Sequence, residues 1–191
     1  MLSDSGLTAG DGYVLLTLFL LPMGTSVLLM ITPAKERGVI IGMTALSSLL
    51  MFVLSVYVFA QYDYQSGAQF QGVRAWDWIT NAGMLGEDGI QLKVGVDGIG
   101  AAMVLLTGII TMAGTWVSWK LEHRLKDFFI LLYLVAAGVF GTFVLLDLFI
   151  WFFFYELALL PMYLLIAVWG STRREYGAMK LMMVLVGGSV L

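Results

Sequence analysis

Residues 147–170 read DLFIWFFFYELALLPMYLLIAVWG, a run of aromatic and aliphatic side chains with one carboxylate, Glu156, well inside it. About 20 apolar residues in a helix cross a hydrocarbon core of about 30 Å, so this stretch predicts a transmembrane helix. Placing an ionisable side chain at the centre of a membrane costs about 2.5–3.5 kcal/mol on insertion scales. Glu156 is therefore interpreted as a functional residue, the alternative being a structural acid that makes one interhelical hydrogen bond.

The composition of the whole chain indicates an integral membrane protein. Its hydrophobic fraction is 60% and its charged fraction is 12%, whereas soluble domains have about 45–50% and about 25%. The absence of cysteine excludes disulfides and thiolate-held iron–sulfur clusters, and the single histidine, His123, excludes a bis-histidine haem. We therefore expect no cofactor and no metal, and no nucleic-acid partner either, since the sequence has no extended basic patch.

The apolar runs predict an all-α, polytopic bundle of transmembrane helices. The run 128–169 would be about 63 Å long as one helix, about twice the membrane thickness, so it is divided into two spans that meet at Asp147. The predicted spans are 13–31, 39–60, 96–119, 128–146, 148–169 and an incomplete sixth at 176–191. Small residues of the fourth span predict a face for close helix packing, namely Ala137, Gly138, Gly141 and Thr142.

The distribution of basic residues predicts which ends of the spans lie on the inside of the membrane. With the N-terminus outside, the tail 1–12 and the polar segment 61–95 lie outside, and the loops 32–38, 120–127 and 170–175 lie inside. The inside loops then hold Lys35, Arg37, Lys120, Arg124, Lys126, Arg173 and Arg174, and the outside segments hold only Arg74 and Lys93. This asymmetry follows the positive-inside rule.

Glu156 and Lys180 are the two main candidates for proton chemistry. Desolvation disfavours the charged form of a carboxyl group, so Glu156 could hold and exchange a proton near neutral pH; among its helical neighbours only Tyr163 can donate a hydrogen bond to it. Lys180, one turn into the sixth span, is a possible basic station of a proton relay or a side chain that snorkels to the interface. The two should differ by about 15–20 Å in depth, which argues against a direct ion pair.

Other polar and aromatic residues have simpler interpretations. Asp147 is a third, weaker candidate for proton transfer, but it is most simply the N-cap of the fifth span, as Asp97 is of the third. His123 is expected to be solvated. The tryptophans at span ends are predicted to be interfacial anchors rather than a cofactor site, namely Trp116, Trp119, Trp151 and Trp169.

The residues in the second half of the chain resemble a known family. The run 147–156, the segment Leu160-Pro-Met-Tyr-Leu-Leu-Ile and Trp169-Gly170 resemble the antiporter-like subunits of proton-pumping NADH:quinone oxidoreductase (respiratory complex I), chain M in particular. Supporting stretches are GVDG at 95–98, YGAMK at 176–180 and GSVL at 188–191. The resemblance covers about residues 94–191, and the first two spans match by layout only.

The resemblance implies a function in an energy-transducing membrane, such as a bacterial inner membrane. It implies that Glu156 takes part in proton translocation, that Lys180 belongs to the same polar axis, and that quinone reduction elsewhere in the complex drives the protons. The partners would be the lipid bilayer and neighbouring membrane-arm subunits, in a subunit without a redox centre of its own. Because the family's lysine partner of this glutamate lies on a seventh helix, we expect the chain not to pump by itself. Two alternatives remain, a subunit of an Mrp-type cation/proton antiporter and a scaffold that transports nothing.

Overall fold

The computed structural model describes residues 7, 9–65, 68–79, 90–121 and 123–190, apart from the side chains of residues 9, 78, 79 and 190. These residues form six α-helices and one two-stranded sheet. In chain order the elements are α1 (Gly12–Ile31), α2 (Arg37–Gln61), β1 (Gln71–Ile79), β2 (Ile90–Val96), α3 (Gly98–Val117), α4 (Leu125–Val144), α5 (Leu148–Trp169) and α6 (Arg174–Val190). Within the predicted outside segments, residues 1–6, 8, 66–67 and 80–89, with Glu87 and Asp88, lie outside the described residues.

Five helices of the described chain are long and apolar enough to cross a membrane. They are α1, α2, α3 with the 3-10 turn that extends it to Lys120, α4 and α5. The prediction of a multi-span helical protein is therefore confirmed. Pro22 and Pro161 both lie inside continuous helices, as membrane helices allow where neighbouring groups satisfy the freed carbonyl.

Helix α4 lies at the centre of the bundle and packs against α1, α3 and α5. Its glycines allow the closest approach: a Cβ built on Gly138 would lie 2.6 Å from the Cβ of Ala158, and one built on Gly141 would lie 2.6 Å from the ring of Phe154. The predicted close-packing face of the fourth span is thus confirmed at these two positions, and its partner is α5. Helix α5, which carries Glu156, consequently packs directly against the backbone of α4 at the centre of the bundle.

The polar segment between α2 and α3 contains a β-hairpin that the all-α prediction missed. Strands β1 and β2 pair antiparallel, with Gln71 opposite Val96 and Ile79 opposite Ile90. The alternation of apolar and polar residues in Ile-Gln-Leu-Lys-Val at 90–94 is the period-two pattern of a half-buried strand. The correct description is a mostly helical fold with one two-stranded sheet.

The hairpin covers the end of the bundle at which α5 begins. The amide of Leu146 donates to the carbonyl of Lys93 over 2.8 Å, and Val94 and Val96 are fully buried. On the other strand, the guanidinium of Arg74 lies 3.8 Å from the centre of the Tyr13 ring at the start of α1, a cation–π contact. The hairpin therefore fixes the junction between α4 and α5 from outside the helical part of the fold.

The opposite end of the bundle is held together by hydrogen bonds between its loops. Arg37 donates to the carbonyl of Leu121 over 2.9 Å, and Lys126 donates to the carbonyl of Met30 over 2.9 Å. The indole N–H of Trp169 donates to the carbonyl of His123, whose own side chain is exposed as predicted. The three basic loops predicted to share one side of a membrane thus lie at one end of the bundle, and the hairpin lies at the other.

Candidate functional site: the carboxyl group of helix α5

Helix α5 begins at Asp147, whose side chain caps it. Its Oδ1 accepts hydrogen bonds from the amides of Phe149 and Ile150 over 3.0 and 3.1 Å, which satisfies two of the amides that a helix start leaves without a partner. The predicted N-cap is confirmed, and Asp97 caps α3 in the same way through the amide of Gly100. The weaker prediction, that Asp147 takes part in proton transfer, is not needed to explain its position.

Asparagine caps a helix about as well as aspartate, whereas alanine does not. We therefore expect Asp147→Asn to keep the stability of the bundle and Asp147→Ala to lower its free energy of unfolding by about 0.5–2 kcal/mol. Thermal unfolding of the two purified variants measures the difference. Equal stability of Asp147→Ala and Asp147→Asn would contradict the assignment of this side chain as the cap.

Glu156 lies nine residues after this cap, about 13 Å along the helix axis. Its side chain is half-buried within the described chain, and its Oε1 lies 3.1 Å from the hydroxyl oxygen of Ser189 on α6. Among the described residues the carboxyl group therefore has one hydrogen-bond partner, supplied by the neighbouring helix. Tyr163, the donor that the sequence suggested, makes no hydrogen bond to Glu156 in the part of the chain that the structure describes.

Ser189 is the residue of this site that sequence reasoning missed. It lies 33 residues from Glu156 along the chain, and only the packing of α6 against α5 brings the two together. One signal was available, because Ser189 is the only serine or threonine within α6. A lone hydroxyl in an apolar helix next to a helix with an acid in its middle is a reasonable partner for that acid.

Lys180 is not brought to Glu156. Its side chain is exposed, and it lies nine residues before Ser189 on α6, which is about 13 Å along the helix and half a turn around it. The expectation that the two residues do not form a direct ion pair agrees with this position. An ion pair does form elsewhere in the described chain, between Arg124 and Asp127 over 2.8 Å.

A second set of polar groups lies inside the bundle, away from α5. The hydroxyl of Tyr133 on α4 donates to the carbonyl of Thr44 on α2 over 2.5 Å, and the hydroxyls of Thr25 and Ser47 lie 2.7 Å apart. These groups are hydroxyls without formal charge, and each has an acceptor close by. They join α1, α2 and α4, whereas Glu156 is the one carboxyl group of the described chain within the middle of a spanning helix.

The fold and this site define a multi-span membrane protein with an ionisable group inside a spanning helix. No protein-family model matches the chain. Curated relatives do: chain 4 3 of NAD(P)H-quinone oxidoreductase from Picosynechococcus is 32% identical over 89% of this chain and 30% of its own length. Chain 4-3 from Nostoc is 34% identical over 94% of this chain and 31% of its own length, and the chloroplastic chain 4 of Chara vulgaris is 31% identical over 91% and 34%.

The chain is homologous to the N-terminal portion of chain 4 of NAD(P)H-quinone oxidoreductase, the antiporter-like membrane subunit that corresponds to chain M of complex I. It spans about a third of the length of these relatives, from 30% to 34%. The resemblance inferred from residues 94–191 is thereby confirmed, and the matched region extends through the first two helices as well.

Proposed function

We propose that this chain forms the N-terminal part of a proton-translocating membrane subunit of an NAD(P)H-quinone oxidoreductase complex, with Glu156 as a group that binds and releases the proton. The observation that carries the proposal is the carboxyl group of Glu156 in the middle of α5, with the hydroxyl of Ser189 at 3.1 Å. The homology to chain 4 supplies the type of complex. Quinone reduction would occur in other subunits, and this chain would contribute no redox centre.

The roles of the residues follow from their positions. Glu156 changes its protonation state in the assembled subunit. We propose that the rest of the subunit buries this side chain, which is half-buried in the described chain. Lys180, exposed on the outer face of α6, is proposed as a basic residue of the same polar axis that acts through groups outside this chain. Asp147 holds the start of α5, so its contribution to translocation is to position the helix.

The proposal is tested in membrane vesicles that carry the complete complex. Deleting the gene of the whole subunit should remove the pH gradient that quinone reduction generates in sodium-free medium, and restoring the gene should return it. A proton flux that requires sodium and proceeds without an electron donor would instead identify a cation/proton antiporter. A pH gradient that Glu156→Gln leaves unchanged in a fully assembled complex would contradict both functions and leave a scaffold.

The proposal includes an orientation, with the hairpin end outside. The structure places the seven basic loop residues at one end of the bundle and Arg74 and Lys93 in the hairpin at the other, and the positive-inside rule assigns the first end to the inside. The chain has no cysteine, so single cysteines report on this directly. Ala34 and Ala75 are both exposed alanines, one at each end.

We expect a membrane-impermeant maleimide to label Ala75→Cys from the outside and Ala34→Cys from the inside only. Labelling of the subunit in right-side-out and inverted vesicles, followed by gel electrophoresis, measures this. Since each substitution adds one thiol to a small exposed side chain, the two variants serve as controls for each other. The reverse pattern would invert the proposed orientation.

A further inference from the structure

The hydroxyl of Ser189 has two acceptors within reach. Its oxygen lies 3.1 Å from Oε1 of Glu156 and 2.8 Å from the carbonyl oxygen of Val186, one turn earlier on the same helix. A serine hydroxyl has one hydrogen to donate and two lone pairs with which to accept. It therefore cannot donate to both oxygens at the same time, and the direction of its O–H bond is a choice between them.

The protonation state of Glu156 decides that choice. An ionised carboxylate can only accept hydrogen bonds, whereas a protonated carboxyl group has an O–H of its own to donate. With Glu156 ionised, the O–H of Ser189 points to the carboxylate. With Glu156 protonated, the carboxyl O–H donates to the oxygen of Ser189, and the O–H of Ser189 points to Val186.

We propose that Ser189 is a positioning residue that keeps Glu156 hydrogen-bonded in both of its protonation states by reversing the direction of one hydrogen bond. The inference rests on the proposed function in that it assigns Ser189 to the same proton-binding site. Ser189 keeps its own hydrogen throughout. The proton that enters or leaves the site does so at the carboxyl oxygens of Glu156.

The reversal leaves no polar group of the pair without a partner. In the ionised state the carbonyl of Val186 loses the hydroxyl, but it lies inside α6, where helical geometry supplies the amide of residue 190 as a donor. In the protonated state the carbonyl of Val186 accepts from both the hydroxyl of Ser189 and the amide of residue 190. Unsatisfied polar groups are costly away from water, so a hydroxyl that serves both states lowers the free energy of each of them.

The charged groups of α6 and α4 are far from the pair, and the titratable groups nearest to it lie on α5. On α6, Lys180 lies nine residues from Ser189, and Tyr176 and Glu175 lie farther along the helix. On α4, Tyr133 bonds to α2, while Lys126 and Asp127 lie in the first turn, more than ten residues from the glycine that contacts α5. On α5 itself, Asp147 caps the helix start, Tyr155 stacks on Trp151, and Tyr163 makes no described bond to Glu156.

Replacing Ser189 with alanine in the complete, membrane-embedded complex removes the hydroxyl that bonds to Glu156. Infrared difference spectra between samples at different pH report the C=O stretch of protonated Glu156, which is assigned by its disappearance in Glu156→Gln. Because charge-assisted hydrogen bonds are about twice as strong as neutral ones, losing the donor harms the ionised state more. We expect the midpoint of the titration to rise by about one pH unit and the C=O band to move to higher wavenumber.

Three further variants make the test specific. Ser189→Thr keeps a hydroxyl and should restore both the midpoint and the band, and Ser189→Cys, a weaker donor, should shift both by less than alanine does. Ser26→Ala removes the same kind of bond, from a serine hydroxyl to the carbonyl three residues earlier on α1, and should leave the band and midpoint unchanged. If Ser189→Ala leaves both unchanged, the inference is wrong.

The role of Ser189 and the role of Glu156 in translocation can be tested separately. The pH titration measures an equilibrium property of Glu156 and requires no turnover. A shifted band in Ser189→Ala together with undiminished translocation in Glu156→Gln would support the reversal and contradict the function. An unshifted band in Ser189→Ala together with abolished translocation in Glu156→Gln would contradict the reversal of the hydrogen bond and leave the proposed function standing.

Discussion

Replacing Glu156 with glutamine is expected to abolish the proton translocation that this subunit contributes to the assembled complex, while leaving the complex intact. Glutamine has nearly the size of glutamate, and its amide oxygen can still accept the hydrogen bond from Ser189 that lies at 3.1 Å. It cannot bind and release a proton. Loss of a positioned acid–base group lowers rates by on the order of a hundredfold or more, so we expect the quinone-driven pH gradient attributable to this subunit to disappear.

A matched variant separates the loss of this acid from the loss of any acid. Glu175 is exposed in the first turn of α6, and Glu175→Gln makes the same chemical change where no transport role is proposed. Proton uptake per electron transferred is measured in vesicles that carry each variant, with the amount of assembled complex determined on native gels. Equal translocation in Glu156→Gln and Glu175→Gln would defeat the proposed function.

Substituting valine for Gly138 is expected to have the largest effect on stability. A Cβ at this position would lie 2.6 Å from the Cβ of Ala158, 2.8 Å from the carbonyl oxygen of Phe154 and 2.9 Å from the amide nitrogen of Ala158. Two of these neighbours are backbone atoms of α5, which cannot rotate away. The helices must separate, and we expect the free energy of unfolding to fall by about 3 kcal/mol or more, at or above the upper part of the range for overpacked sites.

The control for this prediction is Gly114→Val on α3, because a Cβ at Gly114 meets nothing within 4 Å in the described structure. Both substitutions replace a helical glycine with the same β-branched residue, so their differences in helix propensity cancel. Thermal unfolding and the yield of assembled complex measure the effect. Equal stability of the two variants would show that the contact between α4 and α5 does not hold α5 in place.

The spanning helices could be predicted from the sequence because the membrane makes them a local property. A helix satisfies its own backbone hydrogen bonds, and about 20 apolar residues are enough to cross, so each apolar run specifies its helix without reference to the others. Asp147 could be assigned as a cap for the same reason, since its two acceptor contacts are with the next three residues. The small residues Gly138 and Gly141 indicated a packing face, although not which helix it meets.

The hairpin and the partner of Glu156 depend on contacts between distant residues. Strand β2 is stabilised where it reaches the junction of α4 and α5, through the bond from Leu146 to Lys93, and its period-two pattern is short beside the long helical runs. Ser189 meets Glu156 only because α6 packs along α5. The position of Glu156 within a span was therefore predictable, while its half-buried state and its hydrogen-bond donor required the structure.

The protonation of Glu156 during turnover can be observed in the carboxyl region of the infrared difference spectrum, recorded on the complete complex during quinone reduction. If Glu156 binds and releases a proton during turnover, the wild-type spectrum contains a C=O band that is absent in Glu156→Gln and present in Glu175→Gln. A spectrum that is identical in all three proteins would show that the carboxyl group in the middle of α5 does not change its protonation state, and would contradict the proposed function.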